Sequence, residues 1–393
     1  MKCAPKVKIV VDPLAAKGFL AELQRPFVAE YKITDGALDF LKRVCEAVGP
    51  SGFEDDVLRM FHEYASSFAD EVVRDNLGSL VFAKRGNSER PRVLVAGHVD
   101  EVGFVVTSIT KEGYLTFTPV GGWFDQVLLS QRVIVKTKKG PVVGVIASKP
   151  PHLLTPEERQ KVVTMDRMFI DVGATSEEEV KALGVRVGDP IAPLSPFTVS
   201  ATGKTVMGKA FDDRLGAFIA VEALRFLKEN GVEHPNTLYA AATVQEEVGL
   251  RGAQTVGWAV DHDVAIVTEV DIAGDVPGID PRDAQAKLGK GPTIVTFDAS
   301  MIPNQKLKEF VIQVAEEAKI PYQLSVVAKG GTDAGRLHLY KTGRPSIVIG
   351  VPTRHIHSHV SIVHLDDLAN AVKLVVELVK RLDENTVKSF SSI

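Results

Sequence analysis

Cysteine is almost missing from this chain. Cys3 and Cys45 are the two in 393 residues, too few to staple a protein of this length. That excludes a disulfide framework and points to a reducing, cytoplasmic setting. No stretch of about eighteen uninterrupted apolar residues exists, so no membrane-spanning helix is expected. A basic excess is missing as well: the net charge is −4, whereas a nucleic-acid binder normally carries clustered positive charge. Nor is there a secretory core near the start, because Asp12-Pro13 break the apolar run Ile9-Val10-Val11 that follows Lys2, Lys6 and Lys8. An organellar transit segment stays open as an alternative, since Glu22 is the one further acid before Glu30.

What is present is the balance of an ordinary globular protein, 45% hydrophobic and 24% charged, in a chain longer than one core usually supports. Residues 1–34 read as a loosely patterned extension. Leu38, Leu41, Val44 and Val48 then recur at helical spacing until Gly49-Pro50. Ser51 and Glu54 have capping-box spacing ahead of a second helix carrying Val57, Leu58 and Phe61. A hairpin is expected around Gly78, and Val93–Ala96 reads as a buried strand.

From about residue 107 the texture changes to short alternating runs at 114–118, 132–136, 142–146 and 168–172, with a helix near 177–183. That spacing suggests a small β-barrel or sandwich. Long elements return near 206: a helix from Asp213, strands at 237–244 and 264–270, a helix at 306–319, strands at 322–328 and 346–350, and a closing helix at 365–382. Strands separated by helices imply an α/β fold, a mixed and mostly parallel sheet flanked by helices. The expected organisation is a discontinuous catalytic domain, 35–106 and 206–393, interrupted by a β-rich insert at 107–205. Neither an internal repeat nor a low-complexity tract is found.

Chemistry is concentrated where apolar strands end. Glu246 and Glu247 follow the run Thr237–Val244, and two carboxylates there are costly unless a cation waits for them. Four other segments place metal-type donors in similar positions: His98 with Asp100, Asp212 with Asp213, Glu269 with Asp271, and His355, His357 and His359. Sites in open α/β sheets form at the carboxyl ends of strands, so these segments can converge. Each has a bland reading: Asp212 as a helix N-cap, Glu269 as an edge charge, His98 as a satisfied core histidine. All five being innocent together is the weaker account. Nitrogen and oxygen donors without thiolate suit zinc, cobalt or manganese. Asp100, two residues past His98, can fix the imidazole's metal-binding tautomer. Among the three histidines at 355, 357 and 359, alternation on an extended segment leaves the ligand open.

Gly97-His98-Val99-Asp100-Glu101-Val102-Gly103, Gly208–Arg214 with Asp212 at its heart, Gln245-Glu246-Glu247-Val248-Gly249-Leu250-Arg251-Gly252 and Arg354-His355-Ile356-His357-Ser358 resemble the metal-site motifs of the tetrahedral (TET) aminopeptidases. These are dinuclear metallo-peptidases that include glutamyl and deblocking aminopeptidases, and the resemblance covers roughly 36–382. It implies that Asp212 bridges two divalent ions, with His98 and Glu269 completing one site and Glu247 and His357 the other. Glu246 would be the general base of a hydroxide shared by the ions, and Asp100 would orient His98. Three carboxylates and that hydroxide would then neutralise the two ions. The family often has aspartate where Glu269 stands, which keeps Asp271 and Asp275 as rivals.

Thr332 and Asp333, in Gly330–Gly335, correspond to a stretch near the substrate cleft, with a plain glycine turn as the alternative. A phosphate cradle is disfavoured there because the lysine-plus-hydroxyl ending is missing. The implied function is removal of N-terminal residues from peptides with a free amino terminus. The implied assembly is a homo-oligomer, a tetrahedral dodecamer built from dimers through the insert. A dinuclear carboxypeptidase or deacylase, and a non-catalytic shell-forming or binding protein, are the competing readings.

Overall fold

The computed structural model describes residues 30–392, so most of the expected extension, and the targeting readings drawn from it, lie outside the described residues. All elements below belong to the unit Tyr31–Ile393. Tyr31 and Thr34, assigned to the extension by sequence, are already part of this unit. Tyr31 is buried and donates its hydroxyl to Glu222 (2.6 Å), and Thr34 accepts the Ala37 amide to cap α1 (Asp35–Glu46).

The second helix, α2 (Asp55–Ala65), corrects one expectation, because the Ser51/Glu54 capping box does not form. Ser51 Oγ donates to Asp100 (2.6 Å), and Glu54 Oε1 accepts the amides of Gly52 (2.7 Å) and Gln245 (3.1 Å). Ser51 is held by a carboxylate, a stronger partner than a helix terminus offers, and Glu54 is held by amides on two separate segments.

β1 (Glu71–Arg74) and β2 (Leu80–Arg85) form the expected antiparallel hairpin, and β3 (Arg92–His98) follows. The chain then builds a closed barrel from β4 (Gly103–Ile109), β5 (Tyr114–Val120), β6 (Arg132–Thr137), β7 (Gly140–Ala147), β8 (Phe169–Asp171) and β9 (Pro190–Pro193). Phe104, Leu115, Val133, Ile146 and Ile170 fill it. These strands fall between 103 and 193, while β10 (Thr198–Val199) and β11 (Thr205–Gly208) pair in the main sheet.

The main domain resumes with α3 (Phe211–Glu229), β12 (Thr237–Thr243), α4 (Arg251–Val260), β13 (Val264–Ile272), β14 (Thr293–Asp298), α5 (Gln305–Glu317), β15 (Gln323–Val327), β16 (Ser346–Arg354), β17 (Ser361–His364) and α6 (Leu365–Val379). The sheet runs β1-β2-β12-β3-β13-β16-β17-β11-β10, with β14 pairing β15 and β16 off that path. β12, β3, β13 and β16 are parallel neighbours. Parallel strands are buried on both faces, which is why these four read as unbroken apolar runs. On one face Val93, Val95 and Ile266 meet Leu215 and Phe218 of α3 and Val372 and Val375 of α6. On the other, Leu94, Ala96 and Val267 meet Ala253 and Val256 of α4 and Leu337.

Two glycines let α3 sit unusually close to the sheet. A Cβ on Gly97 would lie 2.2 Å from the Ala217 amide nitrogen, and one on Gly216 would lie 2.0 Å from the Thr268 carbonyl oxygen. Thr268 Oγ1 bonds the Gly216 carbonyl across the same contact (2.9 Å). The start of α3 is thereby brought against the end of β3.

Candidate metal centre

Side chains alternate faces along a strand, so His98, Thr243 and Glu269 share parity with the residues of the α4 face and meet at the carboxyl ends of adjacent parallel strands. Asp212 arrives from the start of α3. There the backbone is not helical at Asp212 (φ −80°, ψ 105°) or Asp213 (φ −126°, ψ 41°). The capping role considered for Asp212 falls instead to Asp213, whose Oδ1 accepts the Gly216 amide (2.9 Å) while its Oδ2 accepts the His98 amide (3.2 Å). Asp212 is left free to face the histidines.

Asp212 stands between them. Its Oδ1 is 3.1 Å from His98 Nε2 and its Oδ2 is 3.3 Å from His357 Nε2. His98 Nε2 is also 3.6 Å from Glu246 Oε2 and 3.6 Å from Glu269 Oε1, and His357 Nε2 is 3.6 Å from Glu247 Oε2. Two groups, His98–Asp212–Glu247 and His98–Asp213–Glu269, bring single donor atoms within 4.8 Å of one another. Asp213, a buried carboxylate that sequence paired with Asp212 without giving it a separate place, therefore borders the centre too.

Asp100 organises the surroundings more than its spacing suggests. His98 Nδ1 lies 3.1 Å from the Asp100 backbone oxygen and 3.4 Å from its Oδ1. The carboxylate meanwhile accepts the amides of Glu246 (3.0 Å) and Glu247 (3.1 Å) and the Ser51 hydroxyl. One buried acid thus sets the backbone of both glutamates and the rotation of His98. His357 is oriented by a residue the sequence did not flag: its Nδ1 lies 2.7 Å from the carbonyl oxygen of Gly122, in the segment after β5. Gly121-Gly122 was the available signal, a glycine pair in the connection between β5 and β6.

The histidine run also corrects the expectation of an extended segment. His355 (φ 61°) and His357 (φ 55°) are in the left-handed region, so the three imidazoles do not alternate on one face. His357 turns to Asp212, whereas His359 is buried against Trp123. Ala210 (φ 56°) and Gln245 (φ 55°) are left-handed as well, each just before a site segment. Such backbone persists where the surroundings over-determine it. Of the rivals to Glu269, Asp275 is paired with Arg354 (2.9 and 2.5 Å) and Asp271 belongs to a different polar cluster. Thr332 Oγ1 donates to Asp298 (3.1 Å), and Asp333 Oδ2 accepts from Thr243 (2.5 Å).

Charge here is unbalanced. Burial, reinforced by Asp212, raises Glu247 to about 8, and burial raises Asp333 to about 7. Burial opposes the charge of His357, yet Asp212 and Glu247 hold it up at about 10. For Glu246, burial and the acids Glu269, Asp333 and Glu247 outweigh His98 and lift it well above the carboxylate range. Glu247 Oε1, Glu269 Oε2 and Asp333 Oδ1 are buried without a hydrogen-bond partner. Buried carboxylate oxygens left in this state are expensive unless a cation meets them. The donor set fits divalent ions.

Similarity to known proteins agrees with this geometry. Residues 78–374 match the M42 glutamyl aminopeptidase family. A TET aminopeptidase from the marine sediment archaeon Thaumarchaeota archaeon SCGC AB-539-E09 superposes with a TM-score of 0.90 at 62% identity, covering 91% of this chain and 99% of that one. The glutamyl aminopeptidase of Lactococcus lactis subsp. cremoris is 35% identical over 89% of this chain and 97% of its own. The lysyl aminopeptidase of Pyrococcus furiosus is 33% identical over 88% and 97%. A mixed sheet, an inserted barrel, strand-end acids around two histidines and a match across most of the length lead to one conclusion: the chain belongs to the M42 aminopeptidase family of peptide hydrolases.

Proposed function

We propose that the protein is a metal-dependent aminopeptidase that removes N-terminal residues from peptides with a free amino terminus. The observation that carries this reading is Asp212, with one carboxylate oxygen toward each of His98 and His357. That is the arrangement a carboxylate shared by two ions requires. His98 and Glu269 would hold one ion with Asp212, and Glu247 and His357 the other. Zinc suits the nitrogen and oxygen donors, as do cobalt and manganese. When bound, such ions supply Lewis acidity, lowering the pKa of water to about 7 and polarising a carbonyl.

The chain's own residues do the rest. Glu246 accepts a proton from the attacking water and delivers it to the leaving amine, a role suited to a carboxyl whose proton affinity is raised by burial. Asp100 keeps Glu246 and Glu247 in register through their amides and helps hold His98. Asp333 and Thr332 flank the cleft as substrate-facing residues, and the surplus of acids favours an incoming ammonium group. We assign the closed barrel, whose strands run from 103 to 193, to an insert used in dimerisation, and the sheet and helices on either side of it to the catalytic domain, slightly narrower insert bounds than the 107–205 expected from sequence. Similarity to a TET aminopeptidase supports a homo-oligomeric, tetrahedral assembly. No helix among the described residues is long and apolar enough to cross a membrane, and the buried free thiol of Cys45 suits a reducing cytoplasm.

Glu246→Gln tests the assignment. Both ions should remain by elemental analysis, while kcat on a free-amine peptide falls on the order of 10²–10⁴-fold. Near-normal turnover by the variant would remove Glu246 from the reaction. Equal cleavage of N-blocked peptides would favour the deacylase reading instead.

A further inference from the structure

Beyond Glu269, the strand β13 places a second acid on the same face. Asp271 lies two residues along, roughly 7 Å further by strand rise. It is 4% exposed, and its carboxyl sits beside the hydroxyls of Thr293 and Ser325, which are themselves 0% and 3% exposed. Neither Asp271 Oδ2 nor either hydroxyl oxygen makes a well-formed hydrogen bond. The two hydroxyls steady the carboxylate, yet it has no cationic partner among the described residues, an uncommon state for an acid this deeply buried.

They adjoin a cavity of about 370 Å³, which Asp271 lines together with Ile272, Ala284, Val326 and Val327. Ile272 and Val326 are 46% and 43% exposed, so apolar surface faces the opening rather than the core. The other charges at the wall are exposed, and Arg282 is held by Asp280 (3.0 and 2.7 Å). The cavity thus joins aliphatic wall residues to one deeply buried carboxylate, with Gln285 and the exposed Asp283 and Lys329 also on its wall. That is the complement of a side chain with a methylene stem and a cationic head, which buries its stem and keeps its charge paired.

We propose that this cavity receives the side chain of the substrate's N-terminal residue, and that Asp271 selects lysine or arginine there. The inference rests on the aminopeptidase reading above. It also goes beyond it, because the relatives named for glutamyl and lysyl activities do not choose between acidic and basic residues. Distance favours the N-terminal residue: a lysine side chain spans about the 7 Å between Glu269 and Asp271.

A panel of aminoacyl chromogenic substrates tests the idea, with Lys, Arg, Leu and Glu at the first position and dipeptides carrying Lys at the second. Lys and Arg should exceed Glu in kcat/KM by about 100-fold or more, and Asp271→Asn should cut the Lys-to-Leu ratio at least tenfold. A Leu or Glu preference unmoved by Asp271→Asn would overturn the subsite while leaving the aminopeptidase reading intact. A preference for Lys only at the second position would overturn it equally. Hydrolysis of none of these substrates would instead strike the activity. In that event calorimetry on the folded Glu246→Gln protein decides the pocket separately: free lysine should bind at least tenfold tighter than free glutamate, and loss of that difference would refute the inference.

Discussion

One residue apart in sequence, Asp100 and Glu101 serve two buried charged clusters that reach balance by different means. Glu101 accepts from Lys209 Nζ at 2.7 and 2.8 Å and from Arg214 at 3.0 Å. The spare donors of those cations are taken by main-chain oxygens: Lys209 bonds Ala47, and Arg214 bonds Val99 (2.9 Å), Val44 (2.5 Å) and Ala47 (2.8 Å). That cluster is complete within the protein. It ties α1, the end of β3 and the approach to α3 together. The cluster reached through Asp100 contains Asp212, Asp213, Glu246, Glu247 and Glu269 against two histidines, with carboxylate oxygens left over. The same stretch of chain is therefore scaffold on one side and a cluster of acids with unmet oxygens on the other. Burial by itself does not mark function; unmet charge does.

Breaking the incomplete cluster should have the largest effect on activity. Asp212→Ala removes the carboxylate shared by both proposed ion positions, so kcat/KM should fall on the order of 10⁴-fold or more, the equivalent of several kcal/mol of charge stabilisation. Its apo stability should be little worse than that of the chelated parent. A variant that kept two ions and tenfold-reduced activity would contradict the bridging role. Breaking the complete cluster should do the reverse. Glu101→Ala strands two buried cations and should cost about 3–5 kcal/mol in denaturant unfolding. Whatever fraction folds should still bind two ions. Loss of ions without loss of stability would mean that Glu101 belongs to the centre.

A smaller, graded effect comes from pH. Without ions, Glu247 is raised to about 8 and His357 to about 10, each above its unfolded value, so both bind protons more tightly when folded. Their contribution to apo stability is present at low pH and is lost as pH rises through 8 toward 10. Ion binding displaces those same protons, so apparent ion affinity should rise with pH, by about tenfold per unit for each proton released. Calorimetry in buffers of different ionisation enthalpy reads the proton count. A pH-independent affinity between 6 and 8 would show that these two groups do not hold the ions.

Much of this was legible before the structure. The parallel strands announce themselves as apolar runs because both faces are covered, and Glu246–Glu247 stand out as acids at the end of one. Convergence of His98 and Glu269 follows from the strand-end rule, while Asp212 joins them from the start of α3 and His357 from the turn after β16. What spacing could not reveal is competition between partners. Ser51 and Glu54 match a capping box, but Asp100 and the Gln245 amide claim them. Asp212 and Asp213 are chemically identical neighbours, and only the close approach of α3 to Gly97 decides which one caps the helix and which faces the histidines. The left-handed turns at His355 and His357 are invisible to a period-two pattern, and the Gly122 carbonyl is a main-chain group with no sequence signature.

The centre's identity as a two-ion site is best tested by elemental analysis of purified, active protein, paired with chelation and re-addition. Two zinc, cobalt or manganese ions for every polypeptide, with peptidase turnover lost and regained in step with them, is the expected result. Full turnover in material free of transition metal would contradict it.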